Sequence, residues 1–100
     1  MSLPKYHTVV AEISAKPGRE EQLKQLLFSV IEPTRAEAEC IQYDLHVSTD
    51  NPANFFFYEH WKDSAALQKH LASEHMREFF AKADELFAVP PRVLTYTRIA

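Results

Sequence analysis

The sequence predicts one α+β domain in which a four-stranded antiparallel sheet carries helices on one face. The chain has 100 residues, enough for a single domain, and an apolar fraction of 46% that is ordinary for a globular protein. The period of the hydrophobic pattern changes along the chain in the order β-α-β-β-α-β. Right-handed crossovers turn this order into a ferredoxin-like βαββαβ sandwich with both helices on one side of the sheet. We therefore expect residues 1–100 to form a single domain.

Four segments have the composition of strands. A turn that contains the only glycine, Gly18, follows the first strand. The second and third strands form a hairpin around the turn residues 49–54, and Pro90-Pro91 precedes the last strand. The predicted strands are residues 6–14, 41–47, 55–62 and 92–99.

Two segments have apolar residues at helical spacing. The first begins at Arg19, and Pro33 should either end or kink the helix or start a short further turn. Asp63 or Ser64 can cap the second, and Ser73 can cap a further series of turns behind it. The sequence leaves open whether the second helix continues through Ser73.

Both faces of the predicted sheet carry large apolar side chains. In the third strand, Phe55, Phe57 and Trp61 lie on one side, and Phe56 and Tyr58 lie on the other. Monomers rarely expose a contiguous apolar patch larger than a few hundred Å². We therefore expect the face without helices to pack against a second copy of the chain in a homodimer. A large ligand or another protein is the alternative, and which set of side chains faces the partner stays open.

Charge and composition exclude several classes of function. The net charge of −3 is spread along the chain, which argues against a nucleic-acid partner. No run approaches the roughly 20 apolar residues of a membrane span, and the first residues lack the pattern of a signal peptide, so we expect a cytoplasmic protein without a membrane partner. Cys40 is the only cysteine and is expected to be a small buried residue. A single glycine rules out the usual nucleotide-binding loops.

Four segments, taken in order, resemble the antibiotic biosynthesis monooxygenase family of the dimeric α+β barrel superfamily. One departure is Glu39, which stands where the family usually has glycine before the cysteine, and it bears on the tight turn there. The segments are KPGRE at 16–20, PTRAEAECIQY at 33–43, YEHWKD at 58–63 and HLASEH at 70–75.

The resemblance implies a homodimer of ferredoxin-like domains and, as in several members, cofactor-independent oxidation of quinols or aromatic polyketides by molecular oxygen. It also implies a ligand pocket in the gap between sheet and helices. Other members isomerise a small phosphorylated signal, degrade haem or have no known reaction. The leading hypothesis is therefore a monooxygenase acting on a small aromatic substrate. The alternatives are an isomerase of a small phosphorylated carbonyl compound and a non-catalytic dimeric small-molecule binding module.

Four residues are candidates for the chemistry. Oxidation without metal or flavin needs a base, a dry aromatic pocket and a donor that stabilises an anion. His75 lies at the edge of the apolar stripe of its helix and can reach such a pocket, although a histidine of the first turn bonded to a neighbouring carbonyl explains it as well. His70 shares a face with leucines and suits a buried, hydrogen-bonded histidine better. Trp61 and Tyr43 match the family pattern and could hold a flat substrate, although core packing would explain them too.

Glu59 stands in the middle of an otherwise aromatic strand. An unpaired carboxylate there would be costly, so we interpret Glu59 as an ion that bridges a dimer or, as second choice, as a base with a raised pKa. A metal site made of His46, His60 and Glu59 is conceivable, but Glu59 and His60 are neighbours on one strand and point to opposite faces. No metal and no cofactor is expected.

Overall fold

The computed structural model describes residues 6–100, and all boundaries below lie in that range. The elements are β1 (His7–Ser14), α1 (Glu20–Ser29), α2 (Ile31–Arg35), β2 (Cys40–Val47), β3 (Asn54–Trp61), α3 (Ser64–Leu71), α4 (Glu74–Ala83), a 3₁₀ turn (Asp84–Leu86) and β4 (Arg92–Tyr96).

The four strands form one antiparallel sheet in the order β2-β3-β1-β4, which confirms the predicted ferredoxin-like arrangement. One row of paired residues runs across the whole sheet through Tyr43, Glu59, Val9 and Thr95. Because paired residues in antiparallel strands point to the same face, this register decides which side chains meet above the sheet.

Residues of β3 divide cleanly between the two faces. Phe55, Phe57 and Trp61 are buried beneath the helices, whereas Phe56 and Tyr58 lie on the side that the helices leave uncovered. We call this second side the open face. The structure thus decides the side that the sequence left open. The helix-covered side contains the core, to which α1 contributes Leu23 and Leu27, α3 contributes Leu67 and α4 contributes Phe79.

Helix boundaries follow from local hydrogen bonds. Pro33 does not end the first helical region: α1 stops at Ser29, and Pro33 lies in the first turn of α2, where its missing amide hydrogen breaks no intrahelical bond. Asp63 rather than Ser64 caps α3 by accepting a hydrogen bond from the Ala66 amide at 2.8 Å. The second helical region is interrupted at Ser73, which is extended and caps α4.

The last strand is shorter than predicted. We expected it to run from residue 92 to residue 99, but β4 ends at Tyr96 and Ile99 is 88% exposed. β4 pairs only with β1, and the register between them ends at the pair of Thr8 and Tyr96. In this register Thr97 would stand opposite His7, the first residue of β1, but the pairing stops one position before it. The first strand begins at His7, one residue after its predicted start at Tyr6.

The turn before β2 closes without glycine. No residue other than glycine has a positive φ among residues 6–100, so Glu39 does not need the left-handed region. The Cys40 amide donates to the Glu37 carbonyl at 3.1 Å, and the Lys62 amide donates to the Glu39 carbonyl at 3.1 Å. Cys40 is only half-buried, but burial and the nearby Glu37 raise the pKa of its thiol to about 11, which keeps it protonated and unreactive.

Candidate functional site

A narrow cavity of about 40 Å³ lies between the sheet and the helices α3 and α4. Most of its lining is apolar, with Val9 and Phe57 from the sheet and Phe79 from α4. Three polar side chains reach it: Tyr43, Glu59 and His70. A cavity with an apolar wall and a few convergent polar groups is the usual form of a small-molecule site.

Glu59 is the buried carboxyl group of the cavity. The pairing register puts it on the helix-covered side, where its exposure is 3%. The Trp61 Nε1 donates a hydrogen bond of 2.7 Å to Glu59 Oε1. Burial raises the pKa of Glu59 to about 7; the bond from Trp61 opposes this rise and the negative charge of Glu37 adds to it. Our first interpretation, an ion bridging a dimer across the open face, is wrong, because the side chain lies on the opposite side of the sheet.

Tyr43 is held in place by aromatic contacts and by its own backbone. Its ring stacks on Phe57 with centroids 4.3 Å apart, and Arg35 donates to the Tyr43 carbonyl from Nε at 3.1 Å and from Nη2 at 2.9 Å. Burial, followed by the negative charge of Glu59, raises the pKa of the Tyr43 phenol far above its ordinary value. The phenol therefore keeps its proton and can act as a hydrogen-bond donor.

His70 forms one wall of the cavity and is 2% exposed. Its ring centroid lies 4.6 Å from that of Trp61 and 5.5 Å from that of Tyr43. Its Nδ1 lies 2.7 Å from Glu37 Oε2. Burial lowers the pKa of His70, and the hydrogen bond to Glu37 opposes this. The imidazole is thus neutral near pH 7, with its Nδ1 proton directed at Glu37.

His75 does not line the cavity. Its Nε2 lies 2.9 Å from the same Oε2 of Glu37 and 3.3 Å from the Ser73 hydroxyl. One carboxylate oxygen therefore joins the buried His70 to the more exposed His75. Of the four predicted site residues, Tyr43, Trp61 and His70 lie together around Glu59, and His75 lies behind His70.

The structure separates one group of possible metal ligands and assembles another. His46 and His60 lie on the open face, where they contact Phe56 and Tyr58, while Glu59 lies on the helix-covered side, so these three cannot share an ion. Within residues 6–100, Glu37, His70 and His75 place one ligand atom each within 4.8 Å of one another. We had not assigned a role to Glu37. It is separated from the two histidines by 33 and 38 residues, so no local pattern in the sequence could have connected them.

The fold agrees with comparisons to known proteins. Residues 6–82 match the family described as Antibiotic biosynthesis monooxygenase, and the chain belongs to that family. The chain is similar to YcnE of Bacillus subtilis, which carries a provisional name as a monooxygenase: 35% of 80 residues are identical, over 80% of this chain and 84% of YcnE. It is also 33% identical over 88 residues to an uncharacterized protein of Synechocystis, covering 88% of this chain but only 60% of the length of that relative.

Solved structures show the same fold. The crystal structure of PA3566 from Pseudomonas aeruginosa superimposes with a TM-score of 0.91 at 34% identity, over 100% of both chains. Rv0793 from Mycobacterium tuberculosis superimposes with a TM-score of 0.88 at 30% identity, over 95% of this chain and 96% of the other. In the described range, no helix is both long and apolar enough to cross a membrane. These findings assign the chain to a monooxygenase-like family.

Proposed function

We propose that this protein is a cofactor-independent monooxygenase that oxidises a quinol or a related polyketide-like aromatic molecule with molecular oxygen, and that Glu59 is its base. The observation that carries the proposal is a carboxyl group with a pKa near 7 inside an apolar cavity, hydrogen-bonded only by Trp61 among residues 6–100. A base is most effective when its pKa lies near the working pH. Membership of the monooxygenase family supports the class of reaction.

The proposed reaction balances without a cofactor. The ionised Glu59 takes a proton from the substrate AH₂, and the resulting anion is electron-rich enough to pass an electron to O₂. Recombination forms a carbon–oxygen bond and a peroxide anion, to which Glu59 returns its proton. The second substrate proton is then lost, the oxygen–oxygen bond breaks, and the departing hydroxide takes up this proton as water. The sum is AH₂ + O₂ → AO + H₂O, with both substrate protons in the water. An apolar wall around the anion keeps competing water out.

The neighbours of Glu59 have supporting roles in this proposal. The Trp61 indole N–H orients the Glu59 carboxyl, and the protonated Tyr43 donates to the oxygen on which negative charge develops. His70 forms the wall opposite the sheet, and His75 acts only indirectly, because it contacts Glu37 rather than the cavity. In this proposal Glu59 rather than His75, a candidate for the chemistry from the sequence, is the base.

The cavity must widen to admit a substrate. Its volume of about 40 Å³ is well below the roughly 150 Å³ that holds a benzene molecule in an engineered protein cavity. The lining includes Phe80 and Leu71, which are only partly buried and can move aside at modest cost. We therefore propose that substrate enters by displacing side chains at this partly exposed rim.

We also propose that the protein is a homodimer that associates through the open face. The centre of this face is apolar, and Tyr96 on it is 53% exposed. A charged pair of Glu12 and Arg92 lies at its margin, as expected for an interface with an apolar centre and a polar rim. The apolar and aromatic residues of this face, which alternate with the buried ones, are Val10, Phe56, Tyr58, Leu94 and Tyr96.

The isomerase alternative is less well supported. A phosphorylated substrate would need Lys or Arg at the site, and the described lining of the cavity contains neither. A non-catalytic binding module remains the rival, and it predicts that the wild-type protein shows no turnover above the buffer blank.

Oxygen uptake with a panel of quinols and anthrones tests the proposal. Glu59→Gln keeps the shape of the side chain and removes the base, so we expect a rate lower by roughly 10²-fold to 10⁴-fold. Glu21→Gln, on the solvent side of α1, is the matched control and should retain the wild-type rate. Wild-type uptake equal to the buffer blank across the panel, or equal rates for wild type and Glu59→Gln, would overturn the assignment.

A further inference from the structure

We propose that Glu37, His70 and His75 form a binding site for one divalent transition-metal ion of the Zn²⁺ type. The site would lie behind the cavity wall, between the turn that precedes β2 and the bend between α3 and α4. It is separate from the proposed base Glu59 and does not depend on the oxidation reaction. The inference rests on which atoms converge, how firmly they are held and how they can be reached.

The donor set is the first argument. Two imidazoles and one carboxylate are a ligand combination that Zn²⁺ uses in sites that keep one position for water. The atoms that converge are His70 Nδ1, His75 Nε2 and a Glu37 carboxylate oxygen, all within 4.8 Å of one another. Bonds of about 2.0 to 2.1 Å in a tetrahedron place ligand atoms about 3.3 Å apart. The nitrogen-to-oxygen distances of 2.7 and 2.9 Å are both shorter than this value, so small side-chain rotations that move the ligand atoms apart suffice.

The free oxygen of Glu37 is the second argument. Both histidines approach the same atom, Oε2, while Oε1 makes no hydrogen bond within residues 6–100. Without an ion, two ring N–H groups share one oxygen, and the other oxygen has no hydrogen-bond partner in the described range. An ion bound between the three side chains would replace these two hydrogen bonds. Each imidazole would then contact the ion through a nitrogen lone pair, and both carboxylate oxygens would be available to the ion.

Rigid placement is the third argument. The Ser73 hydroxyl donates to the His70 carbonyl at 2.6 Å and accepts from the Met76 amide, which fixes the bend that carries both histidines. The Glu37 amide donates to the Thr34 carbonyl at 3.0 Å, and its own carbonyl accepts from Cys40. Three chain segments are therefore locked in position before an ion arrives, which lowers the entropy lost on binding.

Access is the fourth argument. The side chains of His75 and Glu37 keep 23% and 18% of their surface exposed, whereas His70 is closed off by Trp61 and Tyr43. An ion can thus enter from the solvent side and reach His70 last. Such an ion would tie α3, α4 and the turn before β2 together at the back of the cavity.

Isothermal titration of the metal-free full chain with Zn²⁺ alone tests the site. We expect one ion per chain, and we expect Glu37→Gln and His75→Ala to weaken binding by more than the roughly 10-fold to 100-fold that follows loss of an outer partner of a metal ligand. His46→Ala is the matched control, because His46 is exposed on the open face, and it should bind like the wild type. Affinity should also fall on acidification, since protons compete for the nitrogens.

Thermal unfolding gives a second readout that needs no activity. Zn²⁺ at about 100 times its Kd should raise the Tm of the wild type by roughly 11 to 20 °C. The shift should vanish in His75→Ala, whose partly exposed side chain can be removed without opening the core, and circular dichroism checks that this variant is folded. Absence of binding up to millimolar Zn²⁺, or equal binding in wild type, Glu37→Gln and His75→Ala, would overturn the site. Either result leaves the oxygen-uptake experiment unaffected.

Discussion

The two faces of one sheet contain alternating residues of the same strands, yet they differ in what they can do. On the helix-covered face, Glu59 and Trp61 are buried together, and the neighbouring side chains exclude water. On the open face, Phe56 and Tyr58 lie among side chains that are partly or largely exposed. An apolar side chain is therefore a packing element on one face and a candidate contact for a second copy on the other.

The same contrast applies to the carboxylates. Glu12, on the open face, forms an exposed ion pair with Arg92 at 3.2 Å. Glu59 lies on the neighbouring strand β3 but on the other face, and among residues 6–100 it has no ion-pair partner and one hydrogen bond, from the Trp61 indole N–H. Burial is the main cause that raises the pKa of Glu59 to about 7. Four predictions test this comparison, in order of decreasing effect.

Trp61→Ala should have the largest effect on stability. Trp61 is completely buried, and truncating a buried aromatic costs about 3 to 5 kcal/mol of the free energy of unfolding. The change would also leave Glu59 without its donor. Urea denaturation measures the loss, and Tyr96→Ala on the open face is the control, expected to cost less than about 1 kcal/mol within one chain. Equal losses for both variants would mean that the two faces are equally packed.

Glu59 should make the protein less stable as pH rises. Its pKa is raised from 4.5 to about 7, so between these values the folded state keeps a proton that the unfolded state has already released. The free energy of unfolding should therefore fall by about 3 kcal/mol from pH 4.5 to pH 7, and Glu59→Gln should remove this part of the decline. Urea midpoints across this range measure it, with Glu12→Gln as the control. A Glu59→Gln profile parallel to that of the wild type would contradict a buried, uncompensated carboxyl group.

A charge at the centre of the open face should disrupt the proposed dimer. Phe56→Glu would bury a carboxylate between two sheets, and we expect dimerisation to weaken by about 2 kcal/mol or more, roughly 30-fold in Kd. Sedimentation equilibrium measures this, and Phe28→Glu, on an exposed part of α1, is the control. A wild-type mass near that of one 11.6 kDa chain at micromolar concentration would instead show that the open face has no partner copy.

The ion pair at the margin of the open face should have the smallest effect. The side chains of Glu12 and Arg92 are both about half exposed or more, and such pairs contribute little to stability. We expect Glu12→Gln to change the free energy of unfolding by less than about 0.5 kcal/mol, and less still at high salt. A loss above about 2 kcal/mol in thermal or urea unfolding would show that a partner covers this pair.

Much of the fold could be predicted because it depends on local patterns. The alternation in residues 41–47 and the turn residues 49–54 indicate the hairpin of β2 and β3, since side chains of a strand alternate between faces. The cap at Ser73 was visible as a possible interruption, but whether the helix stops there depends on how α3 and α4 pack. The predicted last strand extended three residues too far, to Ile99, because the end of β4 depends on where its pairing with β1 stops.

Less of the candidate site than of the fold could be predicted from local patterns in the sequence. By residue type and family pattern, the sequence on its own determined a ferredoxin-like sheet with apolar side chains on both faces and pointed to Tyr43, Trp61 and His70. Only the tertiary structure decided that Glu59 faces the cavity and that Glu37 lies against His70. The reason is that strand periodicity sorts residues into two sets without saying which set the helices cover. Contacts between residues more than 30 positions apart in the sequence form only when the helices pack and bring distant parts of the chain together.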